Sequence, residues 1–234
     1  GIVCRRVFNT VKLYAKQRRL VSLMMAHINE REKNNHMMID IQSHIVEFRN
    51  GESGKHVLHM DKVIQLLLDK IVQKTDKYPS LWQERILIRT ASALHDIGKI
   101  GIDEAILNKP GRLTAEEFES MKAHTTIGAD MLRNLPRYQE ERILQIAIEI
   151  CRWHHERYDG KGYPDGLVGD EIPISAQLVS IADVYDALTS ERVYKKAFSH
   201  EKAMQMIREG ECGAFNPLLL SCLEEIADEL QAEM

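Results

Sequence analysis

An all-α fold is predicted, on three observations. Apolar residues recur at three- and four-residue steps through most of the chain, and no segment alternates convincingly over more than four residues. The whole chain of 234 residues also holds only 13 Gly, 6 Pro and 5 Phe, which gives an all-β reading little support. Residues 5–48 read as one long helix or two consecutive ones. Val7, Val11, Tyr14, Val21, Met25 and Ile28 follow steps of four and three, with Arg18 between Tyr14 and Val21. The pattern fades through the polar residues 30–36 and returns at Met38, Ile41, Ile45 and Phe48. Such a seam suits a two-stranded coiled coil or one amphipathic helix lying on its own domain, and self-association is the reading taken. Residues 1–49 are therefore expected to form a helical linker or dimerisation segment, and residues 50–234 a catalytic domain.

Further along, residues 57–72 are helical in pattern, with Val63, Leu66, Leu67 and Ile71 apolar. Ser80 can cap a helix that starts at Leu81 and runs into His95-Asp96, with Gly98 at its end. Asn108-Lys109-Pro110-Gly111 is a turn. Thr114 with Glu117 has the capping-box spacing, opening a helix that carries His124 as far as Leu135. Another helix is expected from about Gln139 to His155. The glycine-rich stretch Asp159–Gly166 cannot be regular structure. Ile174, Leu178, Ile181, Tyr185 and Leu188 define one face of the next helix, and two more helical patterns follow, split at residues 213–217.

Composition bounds the chemistry. Thirty-one basic against 35 acidic side chains leave a net charge of −4, without the basic face expected for binding a nucleic-acid polymer. No apolar run approaches the ~20 residues that span a bilayer, so no membrane partner is expected. Cys4, Cys151, Cys212 and Cys222 form no CxxC pair, which fits a reduced, cytoplasmic setting. Cys151, on an apolar stretch near the His doublet, reads as a small core residue. The chain opens on Gly1 and reads as a processed or excised segment.

The most informative residues are His95 and Asp96, in the run His-Asp-Ile-Gly-Lys. A carboxylate can bridge two cations while the adjacent imidazole caps one of them, which suits a multi-metal hydrolytic centre. His124, the doublet His154-His155 and Asp183 lie downstream, and Glu52 and His56 lie four apart upstream, on one helix face. Asp183 sits in the apolar run from Val179 to Leu188, where an ionised carboxylate is costly unless paired or bound to metal. Asp186, similarly placed, is expected to have an N–H or arginine partner. Lys99 puts a positive charge where a phosphate would lie. His27, His36, His44, His59 and His200 lack companions of this kind and read as surface or satisfied core residues.

Four stretches carry a family resemblance: HDIGK, KPGRLTAEEFESMKAHTTIG, HHERYDGKGYPDGL and ADVYDALTSERVYKKAFS. Residues 45–225 resemble the HD-GYP domain, a branch of the HD phosphohydrolases. The resemblance implies a metal-dependent phosphodiesterase that hydrolyses cyclic di-GMP to pGpG, and in some members to GMP, by a metal-activated hydroxide. It implies two or three divalent ions, iron or manganese, on His95, Asp96, His124, His154, His155 and Asp183, with Glu52 and His56 added in the three-metal subgroup. Lys99 is implied to touch the scissile phosphate, Arg192 and Lys195 to hold the dinucleotide's phosphates, and Gly162-Tyr163-Pro164 to form a loop near substrate or partner. Gln177 stands where an arginine is common, and Val193 where a proline is frequent. The opening segment is similar to the linker that follows a receiver domain in bacterial two-component response regulators, implying an upstream receiver domain and a homodimer through the N-terminal helix. The alternatives are a phosphohydrolase for another nucleotide, including cyclic GMP-AMP, and a non-catalytic module that senses the dinucleotide or binds a partner.

Overall fold

A computed structural model describes residues 14, 16–26, 30, 33, 37–39, 41–43, 45, 46, 49, 55–191 and 196–233. They divide into two compact units, residues 1–41 and 42–234. In the first unit the described residues are helical, and Tyr14, Val21, Met25 and Ile41 of the expected seam are exposed on the chain. Val7, Val11, Ile28 and Phe48 lie outside the described residues. The second unit is all-α: among its described residues the only bridge between extended segments joins Asp159 to Val168.

Helix α1 (His56–Lys74) runs through the middle of this unit. Met60, Val63, Ile64, Leu67, Leu68 and Ile71 recur at three- and four-residue steps and are all buried, so α1 carries an apolar stripe of the kind that drives helix packing. It packs on α2 (Leu81–Ser92), α7 (Ile174–Thr189) and α9 (Pro217–Glu225). Helix α6 (Arg142–Trp153) lies against α2, α5 (His124–Arg133) and α7. Short helices α3 (Glu104–Leu107) and α4 (Ala115–Lys122), and the terminal α8 (His200–Arg208) and α10 (Ala227–Glu233), complete the unit. Among the described residues, no helix is long and apolar enough to cross a membrane.

Three boundaries differ from the sequence expectation, each for a local reason. Helix α2 stops at Ser92, short of His95-Asp96. The Ser92 hydroxyl turns back to the Arg89 carbonyl (2.7 Å), and a 3-10 helix, Ile97–Gly101, follows the pair. Gly98 is no helix cap. A Cβ there would stand 1.9 Å from the His124 carbonyl oxygen and 2.5 Å from the Gly128 nitrogen, so the missing side chain is what lets this turn press onto α5. The capping box of Thr114 and Glu117 is formed as expected, but the helix breaks at Ala123. There the hydroxyls of Thr125 and Thr126 donate to the carbonyls of Lys122 (2.9 Å) and Ala123 (3.0 Å), competing with the backbone ladder. Gln139 does not start α6. Its amide nitrogen donates to the Arg133 and Leu135 carbonyls at the end of α5, and α6 begins at Arg142.

Candidate metal centre and active site

The unit's helix ends and turns bring distant residues together. His56 is the first residue of α1 and His124 the first of α5. His95 and Asp96 lie in the turn between α2 and the 3-10 helix, and His154 and His155 follow the last turn of α6. Asp183 projects from the middle of α7. Two groups of donors result, His124 with His154 and His155, and His56 with His95 and Asp183, the ligand atoms of each lying within 4.8 Å of one another. His56 thus stands with His95 and Asp183. Glu52, Arg192 and Lys195 lie outside the described residues.

Asp96 lies between the two groups. Its Oδ1 is 3.4 Å from His124 Nε2 and 3.8 Å from His154 Nε2, while its Oδ2 is 3.2 Å from His95 Nε2 and 2.6 Å from Lys99 Nζ. His56 Nε2 is 3.8 Å from Asp183 Oδ1.

The donor set fits bound cations. A backbone carbonyl only accepts, so a ring nitrogen beside one must carry the proton. His95 Nδ1 donates to the Ser92 carbonyl (2.9 Å), His124 Nδ1 to Met121 (2.7 Å) and His154 Nδ1 to Ile150 (2.9 Å). In the neutral rings every Nε2 is then a bare lone pair aimed into the centre, the arrangement that metal-ligating histidines adopt. His124 Nε2 and His154 Nε2 face each other at 3.4 Å, and two lone pairs at that separation need a cation or a proton between them. His56 Nε2 and Asp96 Oδ1 are buried without a hydrogen-bond partner. Bonds of about 2.1 Å to one ion would put neighbouring donors roughly 3–3.5 Å apart, close to the separations around Asp96.

A glycine-rich loop borders the His124 group. Tyr163 stacks on His155, ring centroids 4.8 Å apart, and Phe118 meets the Tyr163 ring edge-on at 6.2 Å. Gly162 permits this, because a Cβ there would lie 2.3 Å from the Arg157 nitrogen. The buried Glu156 carboxylate anchors the loop by accepting the backbone N–H groups of Asp165 (2.7 Å), Gly166 (3.0 Å) and Leu167 (3.1 Å). Arg152 adds a two-pronged bond to Asp165.

A sequence profile described as HD domain matches residues 19–217. The chain belongs to the HD domain family. It is 41% identical over 192 residues to a cyclic di-GMP phosphodiesterase of Vibrio cholerae, covering 81% of this chain and 39% of that one. It is 35% identical over 201 residues to the cyclic di-GMP phosphodiesterase response regulator RpfG of Xanthomonas campestris, covering 86% and 50%. The chain spans about half, or less, of the length of these relatives. The HDG"Y"P protein Bd1817 of Bdellovibrio bacteriovorus shares the fold, with a TM-score of 0.54 over 74% of this chain and 51% of that one, at 20% identity.

Burial and charge divide the imidazoles of this HD domain. Burial, reinforced by the neighbouring His95 and His124, pushes His154 down to about 3, and burial likewise lowers His124 and His155. These rings are neutral near pH 7, as metal ligands must be. At His95 burial is outweighed by the Asp96 carboxylate, which holds the ring up at about 9. Asp96 itself is held well below the usual carboxylate range: against its burial act Lys99 and His95. In the cation-free domain a proton on His95 therefore stands where positive charge is wanted. Below pH 9 a cation must displace that proton, so apparent Mn2+ affinity is expected to rise about tenfold per pH unit from pH 6 to 8. Titration calorimetry at pH 7 in buffers of different ionisation enthalpy should show at least one proton released on filling the His95 side, since His56 in the same group is also raised, its burial outweighed by its bond to Asp186. An affinity flat with pH would contradict this balance.

The structure adds residues that the sequence reading did not place in the site. Asp186 is 1% exposed and accepts from His56 Nδ1 (2.6 Å), His59 Nδ1 (2.8 Å) and the Ser190 hydroxyl (2.7 Å). Its N–H partners are imidazoles, and it turns His56 Nε2 toward Asp183. His59, read as an ordinary histidine, belongs to this network. The available signal was the three-residue step from Asp183 to Asp186 within one apolar run. Gln177 is buried, donating to the Ile172 carbonyl (2.7 Å) and accepting from Asn216 (2.8 Å), away from the centre. Cys151 is buried, its thiol bonded to the Leu94 carbonyl, and burial pushes it far above the range in which it would ionise.

Proposed function

We propose that the chain is the output part of a signalling protein and hydrolyses cyclic di-GMP to pGpG in a metal-dependent reaction, with GMP formed where pGpG is cleaved again. The reading is carried by one observation: the Asp96 carboxylate lies between two donor groups, with the Lys99 ammonium 2.6 Å from its Oδ2. The known activity named for the relatives supports the substrate. His124, His154 and His155 would hold one divalent cation and His56, His95 and Asp183 a second, with Asp96 serving both, and Glu52 with His56 would serve a third in a three-metal centre. Imidazole and carboxylate donors suit iron or manganese. When bound, such cations polarise a phosphoryl oxygen and lower the pKa of water from ~15.7 to about 7.

The protein groups do the rest. Water oxygen adds to phosphorus, the bond to the ribose 3′ oxygen breaks, and the proton ends on that leaving oxygen. Lys99, on a flexible stem, meets the charge that grows on the non-bridging oxygens. Arg192 and Lys195 would hold the dinucleotide's phosphates, and Tyr163, stacked on His155, would form a wall for the nucleotide. Residues 1–49 would join two chains as a homodimer beneath a receiver domain, a reading supported by the response-regulator name of one relative and by the apolar steps of the first unit. Such a protein works in the bacterial cytoplasm.

The test is turnover by anaerobically purified, Mn2+- or Fe2+-loaded protein of cyclic di-GMP, 3′3′-cyclic GMP-AMP, a dNTP and a phosphomonoester. Cyclic di-GMP should be cleaved fastest, with pGpG appearing before GMP. Preference for another nucleotide would reassign the substrate, and tight dinucleotide binding without turnover of any would identify a sensing module.

A further inference from the structure

Ser43, Val46 and Arg49 lie ahead of α1 in sequence and hold the turn that carries His95, Asp96 and Lys99. Ser43 is buried and its hydroxyl donates to the Ala93 carbonyl, at the front of that turn. Val46 is buried beside His56, His95, Asp96 and Ile97. At the far end, the Arg49 guanidinium donates to three carbonyls: Nη1 to Lys99 (3.3 Å) and Ile100, and Nη2 to Ile102 (3.0 Å). The Arg49 carbonyl in turn accepts from the Asn108 side chain at 3.1 Å.

The chemistry explains why an arginine serves here. A five-residue 3-10 helix leaves carbonyls at its end, such as that of Ile100, without donors from its own ladder, and the negative end of its dipole points the same way. The Lys99 carbonyl accepts the Ile102 N–H (3.1 Å) and shares the guanidinium as a second donor. A planar guanidinium with five N–H groups can serve several such carbonyls at once, which an ammonium cannot do in the same geometry. The tightness of this turn sets where Lys99 and Asp96 stand relative to each other.

We infer that Arg49 is a positioning residue that fixes the Lys99–Asp96 turn from its C-terminal end, forming with Ser43 and Val46 a clasp on that turn. Only the turnover measurement rests on the proposed substrate.

Hydrogen–deuterium exchange on the full chain, compared for wild type, Arg49→Ala and Arg49→Lys, tests the clasp. The Lys99 and Ile102 amides, which donate to the Asp96 and Lys99 carbonyls, should exchange about tenfold faster in Arg49→Ala and at an intermediate rate in Arg49→Lys. Helices α1 and α6 should be unchanged. With cyclic di-GMP, kcat should fall about tenfold at nearly constant KM and recover in part in Arg49→Lys, as expected for a displaced charge. Turn amides as protected in Arg49→Ala as in wild type would overturn the inference, and so would a uniform rise in exchange across the fold. If Arg49→Ala does not fold, Arg49→Gln takes its place in the same comparison. Wild type inert toward every dinucleotide would defeat the substrate assignment, while the exchange data would still decide the clasp.

Discussion

Asp96→Asn is expected to reduce turnover on the order of a thousandfold and to strip the domain of part of its metal. The change keeps the shape of the side chain and removes its charge. One of its two oxygens becomes an NH2 group, facing either the Nε2 lone pairs of His124 and His154 or the Lys99 ammonium and His95. A donor aimed at Lys99 or at a cation repels it, and a donor aimed at the imidazoles competes with the cation they should hold. The other donors remain, so metal content should fall rather than vanish. The fold should survive, because the apolar stripe of α1 and the packing of α6 do not involve Asp96. Steady-state kcat from nucleotide chromatography, metal content by mass spectrometry and the thermal midpoint together check this. A variant with full metal content and turnover within tenfold of wild type would remove Asp96 from its central role.

Glu156→Ala is expected to destabilise the domain by releasing the loop beside the site. It leaves the N–H groups of Asp165, Gly166 and Leu167 without their acceptor, and each such loss costs about 1–3 kcal/mol when the group stays buried. Water can reach part of this loop, so a net cost of about 3 kcal/mol is reasonable, or roughly 6–12 °C in the thermal midpoint of a unit this size. Tyr163 should also lose its fixed stack on His155, and cyclic di-GMP should bind more weakly. Calorimetry against wild type measures the first effect and equilibrium binding the second. A midpoint lowered by less than about 2 °C would show that the carboxylate does not anchor the loop.

What could be read from the chain follows the range of the interactions. The capping box of Thr114 and Glu117 and the apolar steps of α1 and α7 depend on neighbours three or four residues away, and sequence reading found them. His95, Asp96, His124, His154, His155 and Asp183 were recognisable because adjacent imidazoles and an acid in an apolar run have few uses besides metal binding. The break at Ala123 escaped because it turns on threonine hydroxyls competing for carbonyls, a balance that helix propensity does not express. The bond from His56 to Asp186 crosses 130 residues, and the Glu156 anchor depends on a loop that folds back onto α6. Gly98 carried a true signal, a glycine where one was needed, for a reason visible only once α5 lies against it.

The carbonyl bonds to His95, His124 and His154 come from Ser92, Met121 and Ile150, residues three or four positions earlier in the chain. Ring orientation is therefore dictated by each local turn and owes little to whatever occupies the centre. A chelator should empty such a cage without melting it, and a different divalent ion can enter the same frame. The identity of the resident ion would then be decided by supply in the cell more than by the protein.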